Sequence, residues 1–284
     1  MAPEIARCVK TFRDSTGLCL APDDGGLGIV FGSGLSDMAR RLVGDARCVE
    51  FEKLEGFPSP GVASHSGSFL LGRLGETLLI AQLGRFHPYE GRTAREICLG
   101  VELMAALGFK NLILTNAAGA LNPIFAPGGL MLMTDFINHS GLSPLTGRIG
   151  EFADPFPDMS APFDEKLSAL VTQVALNEKI RLYEGVYIGV HGPEMETRAE
   201  TRMYRQWGAD AIGMSTVLEI IAARRFGMRV LGISCLSNLN LPDCMKPCGF
   251  DEILGEAARA GKKLEKLLSA LLRCPSLPEC LKAA

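Results

Sequence analysis

The chain has 284 residues, of which 47% are hydrophobic and 21% charged, with 29 basic side chains against 32 acidic ones. A folded monomer of this size keeps roughly 12,000 Å² of surface out of about 44,000 Å² in the extended chain. That is core enough without metal or disulfide staples, and it excludes low-hydrophobicity disorder. A net charge of −3 without long runs of like charge gives no electrostatic reason to expect nucleic acid.

The amino-terminal MAPEIARCVK carries charges where a secretion signal needs its apolar run. The longest apolar stretch, Ile97 to Phe109, is broken by Glu102 and is shorter than the ~20 residues that span a bilayer. Nine cysteines, an odd number scattered along the chain, fit a reducing, cytoplasmic setting. The one close pair, Cys244 and Cys248, has no neighbouring His or second pair to complete a zinc site, and no metal is expected.

Apolar β-type runs occur at 26–34, 68–74, 76–84, 111–121, 130–138, 185–192, 210–214 and 228–238. Several are continuously apolar, the pattern of strands covered on both faces. Helical patterns lie between them, at 93–109, 165–176, 196–207, 217–226 and 251–272. This alternation predicts a single α/β domain with a mixed central sheet surrounded by helices, a hairpin turning at Gly75, and peripheral termini at 1–24 and 273–284.

Ligands of α/β sheets collect at strand ends. The first strand ends in Gly32-Ser33-Gly34, a turn whose hydroxyl and N–H groups suit an anion, or simply a tight strand-to-helix connection. Gly84-Arg85-Phe86-His87-Pro88-Tyr89-Glu90 crowds a guanidinium, an imidazole and a phenol at one strand end, with His65 upstream of the same strand pair. Asn116-Ala117-Ala118-Gly119 combines small side chains with accessible backbone, serving a flat ligand or close strand–helix packing. Glu194-Met195-Glu196 precedes a helix, where a first-turn Glu on local grounds is a dipole partner. Thr216-x-x-Glu219 fits a capping box and leaves Ser215 just outside a helix, as an anion ligand or a capping hydroxyl. Ser237-Asn238 ends the last strand with a planar amide. An anion and a heterocycle are the economical pair of ligands for this set. A dinucleotide-binding oxidoreductase is poorly supported, because no acidic residue follows a second strand at the required distance.

With those residues assembled, the sequence resembles the trimeric purine nucleoside phosphorylases, a family that includes the methylthioadenosine phosphorylases. The resemblance rests on FGSGL, GRFHPYEG, TNAAGALNP, GPEMETRAE, WGADAIGMSTVLEIIAAR and the strand ending at Asn238, in family order across about 25–270. It implies a homotrimer without membrane or nucleic-acid partners. The implied reaction is reversible phosphorolysis of purine (2′-deoxy)ribonucleosides, with inorganic phosphate as co-substrate and no cofactor. It places phosphate on Ser33, His65, Arg85, His87, the Ala117 backbone and Ser215, and the sugar beside Tyr89 and Met214. The purine falls to Glu196 and Asn238, beside Ala118 and Gly119, with Met195 where the family usually stacks an aromatic. His87, Glu196 and Asn238 are the expected catalytic groups, and Phe152 matches an aromatic inserted into a neighbouring subunit's pocket.

An acceptor at Glu196 favours bases with N1–H, hence inosine and guanosine, and the related methylthioadenosine enzymes carry Asp where Asn238 stands. One departure concerns the sugar. Phe250 occupies the position of a family His that reaches the 5′-hydroxyl, and an apolar ring there suits 5′-deoxy or 5′-methylthio groups. Phosphorolysis of methylthioinosine or methylthioadenosine, and non-catalytic nucleoside binding, are the alternatives.

Overall fold

The computed structural model describes residues 3–19, 26–32, 35–43, 46–58, 67–151, 155–245 and 250–282, with backbone alone at 36–37 and 250–254. Its strands are β1 (Leu27–Phe31), β2 (Arg47–Glu50), β3 (Ser68–Leu74), β4 (Thr77–Leu83), β5 (Asn111–Ala120), β6 (Leu130–His139), β7 (Leu182–Val190), β8 (Ala211–Gly213) and β9 (Arg229–Leu239). Its α-helices are α1 (Pro3–Thr16), α2 (Ser36–Val43), α3 (Ala94–Leu107), α4 (Glu165–Asn177), α5 (Arg198–Gln206), α6 (Val217–Arg225), α7 (Phe250–Leu272) and α8 (Leu277–Lys282).

The strands form one mixed sheet in the order β2-β3-β4-β1-β5-β8-β7-β6-β9, and a further pairing of β9 with β5 closes the last five strands into a ring. β4, β1, β5 and β9 run parallel, so their carboxyl ends share one side, while β8 meets β5 antiparallel. The expected hairpin is the antiparallel pair β3–β4, turning at Gly75 with φ of 59°.

The continuously apolar strands are covered on both faces. Leu27, Ile29 and Phe31 of β1 belong to the layer beneath α2, α4, α7 and α8, while Val30 faces the layer of α1, α3 and α6. Local signals delimit the helices between strands. Thr93 and Glu96 reciprocally cap the start of α3, which ends at Gly108 in the left-handed region, and Asp164 caps α4 by accepting from the Leu167 N–H at 2.8 Å.

Three helices and strand β2 were not anticipated from the sequence. The segments read as peripheral carry helices, and α1 buries Ile5, Cys8, Val9 and Phe12 while α8 buries Leu277 and Leu281. Arg229 secures the carboxyl-terminal end by donating to both carboxylate oxygens of Asp164 (2.7 and 2.8 Å) and to the Cys280 carbonyl (2.6 Å). Among the described residues no helix is long and apolar enough to cross a membrane.

Phe12 is fully buried, with its ring 5.9 Å from that of Phe69 in an edge-on contact. Phe12→Ala is expected to cost about 3–5 kcal/mol in denaturant unfolding. A loss below about 1 kcal/mol would show that α1 contributes little to the core.

Candidate active site

The cavity lies in a seam along β5. On that edge β1 pairs with β5 only as far as Leu114, and β8 takes over only at Gly119. Residues 115–118 therefore have no strand beside them there, while β9 covers the opposite edge throughout. Backbone polar groups alternate between the two edges of a strand. The Thr115 carbonyl accepts from Arg85 Nη1 at 2.9 Å, and the Leu121 N–H donates to the Asp210 carbonyl across the β8 edge at 2.8 Å. Ala117 lies between them on the same two-residue period and thus turns its N–H toward the seam.

A cavity of about 340 Å³ opens here, lined by Arg85, His87, Tyr89, Asn116–Gly119, Pro193, Met195, Glu196, Ile212–Ser215, Ser237 and Asn238. Eleven of the residues singled out from the sequence meet in it: Arg85, His87, Tyr89, Ala117, Ala118, Gly119, Met195, Glu196, Met214, Ser215 and Asn238. Ser33, His65 and Phe152 lie outside the described residues, as does the side chain of Phe250, whose backbone opens α7. Gly32, which precedes Ser33, lies where a Cβ would sit 3.6 Å from Arg85 Nη1. A larger cavity of about 770 Å³, between α1, α3 and residues 148–151, contains none of the expected site residues.

Arg85 leaves β4 after Gly84, whose φ of 94° makes the turn, and is only 1% exposed. Its Nε lies 2.9 Å from Glu219 Oε2 and 3.1 Å from Oε1. The expected capping box therefore does not form. Thr216 has φ of 74° and makes no side-chain cap, so Glu219 turns to the guanidinium instead. A positive φ at a β-branched residue is strained, by about 1–3 kcal/mol. The Thr216 hydroxyl accepts from Asn116 Nδ2 at 2.8 Å, which ties the start of α6 to β5.

His87 is 6% exposed, with Nδ1 2.8 Å from Glu90 Oε1 and its ring stacked on Tyr89 at 4.8 Å. A carboxylate only accepts, so Nδ1 carries the proton toward Glu90. Burial raises the Tyr89 hydroxyl above its usual range. Behind Ser215, burial pushes Tyr187 up to about 12, and its neutral hydroxyl donates to the Ser215 carbonyl at 3.3 Å.

At the other end, β9 bulges against β5. Ala118 faces Leu236 and Gly119 faces Asn238, leaving Ser237 as the extra residue and re-aiming Asn238 into the cavity. Gly119 permits this approach, since a Cβ there would lie 3.3 Å from the Asn238 amide nitrogen. The Ser237 hydroxyl lies within hydrogen-bond reach of both Asn238 Oδ1 (2.9 Å) and the Ala118 carbonyl (3.2 Å), which holds this bulge against β5. Helix α5 starts at Arg198, two residues later than expected, with Thr197 as its cap. Glu196 is therefore not a first-turn residue but part of the preceding loop. Burial raises its carboxyl above the ordinary range, opposed by its own N–H and by the Asn240 amide.

Tyr187 and Asn240 were not singled out from the sequence, while Glu90 was named only as the end of the Gly84–Glu90 run and Glu219 only as a capping residue. Glu90 stands three residues from His87, and Asn240 shares the two-residue period of a strand with Asn238, signals that were available. Glu219 matched a local capping pattern that concealed its long-range partner.

The chain matches the family model described as the phosphorylase superfamily over residues 27–273. It is 40% identical over 252 residues to purine nucleoside phosphorylase 1 of Bacillus subtilis, covering 88% of this chain and 93% of that one. It is 36% identical over 259 residues to the Mus musculus purine nucleoside phosphorylase, covering 88% and 89%. The Schistosoma mansoni enzyme solved with adenosine superposes with a TM-score of 0.86 at 30% identity, covering 95% of this chain and 96% of that one. The chain belongs to the purine nucleoside phosphorylase family and is a pentosyltransferase.

Glu219→Ala removes the carboxylate that faces a buried guanidinium. It is expected to cost about 3–5 kcal/mol in urea unfolding; a loss below about 1 kcal/mol would show that Arg85 does not depend on this pair.

Proposed function

We propose that this enzyme catalyses reversible phosphorolysis of 6-oxopurine nucleosides, namely inosine, guanosine and their 2′-deoxy forms, to free base and pentose 1-phosphate. The observation that carries this reading is the sharing of one cavity by an anion-binding set and a purine-reading pair. Arg85, His87, the Ala117 N–H and Ser215 are the described groups that would hold phosphate, joined by Ser33 and His65 on the resemblance. Tyr89 and Met214 line the same cavity and would face the sugar. Relatives support the ligand classes: Schistosoma enzymes were solved with hypoxanthine and with guanosine, and isoform 2 with cytosine and ribose-1-phosphate.

In the reaction a phosphate oxygen bonds to C1′ as the N9–C1′ bond breaks and its electron pair passes to the purine. Negative charge develops on the leaving base and positive charge on the sugar. Phosphate stabilises the sugar, and the base is met by Asn238 Nδ2 near N7 and O6, with Glu196 accepting from N1–H. Adenine has no N1 proton and would meet the carboxylate with a lone pair. The Asn238 amide nitrogen carries two donors, which suit a 6-oxo group and N7 together.

Three further elements belong to this reading. Inorganic phosphate is the co-substrate, with no metal or organic cofactor. The working unit is a homotrimer, in which Phe152 of one copy closes the next copy's cavity; Ile149 and Phe156 flank that residue with exposures of 61% and 78%, apolar surface that a neighbour would cover. The setting is cytoplasmic, in keeping with eight described cysteines that are all unbridged.

The sequence position of Phe250 favours a second reading, in which 5′-methylthio nucleosides are the better substrates. Phosphate-dependent base release from inosine, guanosine, adenosine and 5′-methylthioinosine separates the two. Inosine and guanosine are expected to lead; preference for the methylthio compound would select the second reading, and no release from any would refute phosphorolysis. Glu196 must be ionised to accept N1–H, and burial keeps it protonated to higher pH than an exposed glutamate. Inosine kcat/KM is therefore expected to fall with decreasing pH above the usual carboxylate range of about 4.3. Glu196→Gln should lack that component of the acid limb.

Asn238→Asp is expected to shift the adenosine-to-inosine ratio of kcat/KM toward adenosine, because a carboxylate accepts from a 6-amino group and its protonated form donates to N7. An unchanged ratio would remove Asn238 from base recognition.

A further inference from the structure

Glu196 sits in the loop between β7 and α5, where no strand or helix ladder fixes its direction. Among the described residues, the side chain that holds it is Asn240, whose Nδ2 donates to Glu196 Oε2 across 44 positions of sequence. Asn240 is itself rigidly placed. It is 5% exposed, and its backbone N–H donates to the Ala120 carbonyl at 2.8 Å, carrying the β9 register one residue past the strand. A short side chain tied to β5 thus reaches a carboxylate on a loop, and it does so immediately beside the bulge that aims Asn238.

We propose that Asn240 is a positioning residue for base recognition: its amide takes Oε2 of Glu196 and leaves Oε1 directed at the purine. The inference rests on the reading above, in which Glu196 accepts N1–H of a 6-oxopurine. The amide is suited to this task because it donates without bringing a charge. A lysine in its place would neutralise the carboxylate, and an aliphatic side chain would leave it free to rotate in a desolvated pocket.

The local charges define what the amide opposes. Burial and the Glu200 carboxylate on α5 both favour the protonated form of Glu196, and only its own N–H and Asn240 favour the ionised form. Glu200 is engaged by the Thr197 N–H and hydroxyl, each at 2.8 Å. Tyr204, also on α5, feels both carboxylates and is raised chiefly by burial. Two of the α5 cations turn elsewhere: Arg202 pairs with Asp243 at 2.9 Å, and Arg198 reaches the Met245 carbonyl.

The test compares Asn240→Leu, Asn240→Asp and Glu196→Gln in the full-length enzyme, measuring kcat/KM for inosine across pH together with KM for phosphate. Asn240→Leu keeps the volume and removes the donor. It is expected to lower inosine kcat/KM ~10- to 100-fold, the worth of one hydrogen bond to a charged group, to move the acid limb to higher pH and to leave phosphate KM unchanged. In Asn240→Asp the introduced carboxyl can replace the donor only while protonated. Inosine cleavage by that variant should be retained at low pH and lost as pH rises, the reverse of the Asn240→Leu trend. A merely structural residue would not reverse the slope.

If Asn240→Leu keeps the wild-type pH profile and inosine kcat/KM while Glu196→Gln loses them, the role of Asn240 is overturned and the base reading stands. If Glu196→Gln also leaves inosine cleavage intact, the base reading fails and the inference fails with it. Equal loss toward inosine and phosphate in both Asn240 variants, without slope reversal, would reduce Asn240 to a folding contact.

Discussion

The site depends on a shortage of partners along one edge of β5. A strand in the middle of a sheet normally has both edges satisfied. Here the pairing of β1 along β5 stops at Leu114 and that of β8 begins only at Gly119. The resulting gap is four residues long and is flanked by the carboxyl ends of β4 and β9. Arg85 fills one part of it through the Thr115 carbonyl, and the rest is cavity. Elements from every part of the chain must converge on that gap, since unsatisfied backbone groups in an interior are costly.

The convergence is held by buried polar pairs rather than by packing alone. Arg85 with Glu219 joins the end of β4 to α6, Asn116 with Thr216 joins β5 to the same helix start, and Asn240 with Glu196 joins β9 to the α5 loop. Each pair links a strand or its end to a helix-side segment. The strained φ of Thr216 belongs to the same construction: it turns Glu219 inward and leaves Ser215 at the cavity surface.

How much of this the sequence reveals follows from range. Strands such as β1, β4 and β5 were legible because burial on both faces writes an unbroken apolar run, and the helices between them because capping residues and glycines mark their ends. Strand β2 was not, because RCVE buries only Val49 and offers neither run nor alternation. Helix α1 was obscured by its charged outer face and its place at the chain end. Within the site, residue types crowded at strand ends were readable one by one, since strand-end loops are where ligands bind. The pairs that orient them were not, because Arg85 and Glu219 stand 134 residues apart and Glu196 and Asn240 stand 44 apart. Glu219 shows the hazard directly: a local capping motif was present, and a distant guanidinium outcompeted the backbone.

The two ends of the cavity are built from different materials. On the proposed reading, phosphate would be held in part by main chain, the amide of Ala117 in the seam, which every residue except proline would supply equally, whereas the purine would be read by the side chains of Glu196 and Asn238. Point mutation can therefore redraw which heterocycle is accepted far more readily than it can erase the oxyanion contact. Diversification of such an enzyme would be channelled toward new bases on an unchanged phosphate chemistry.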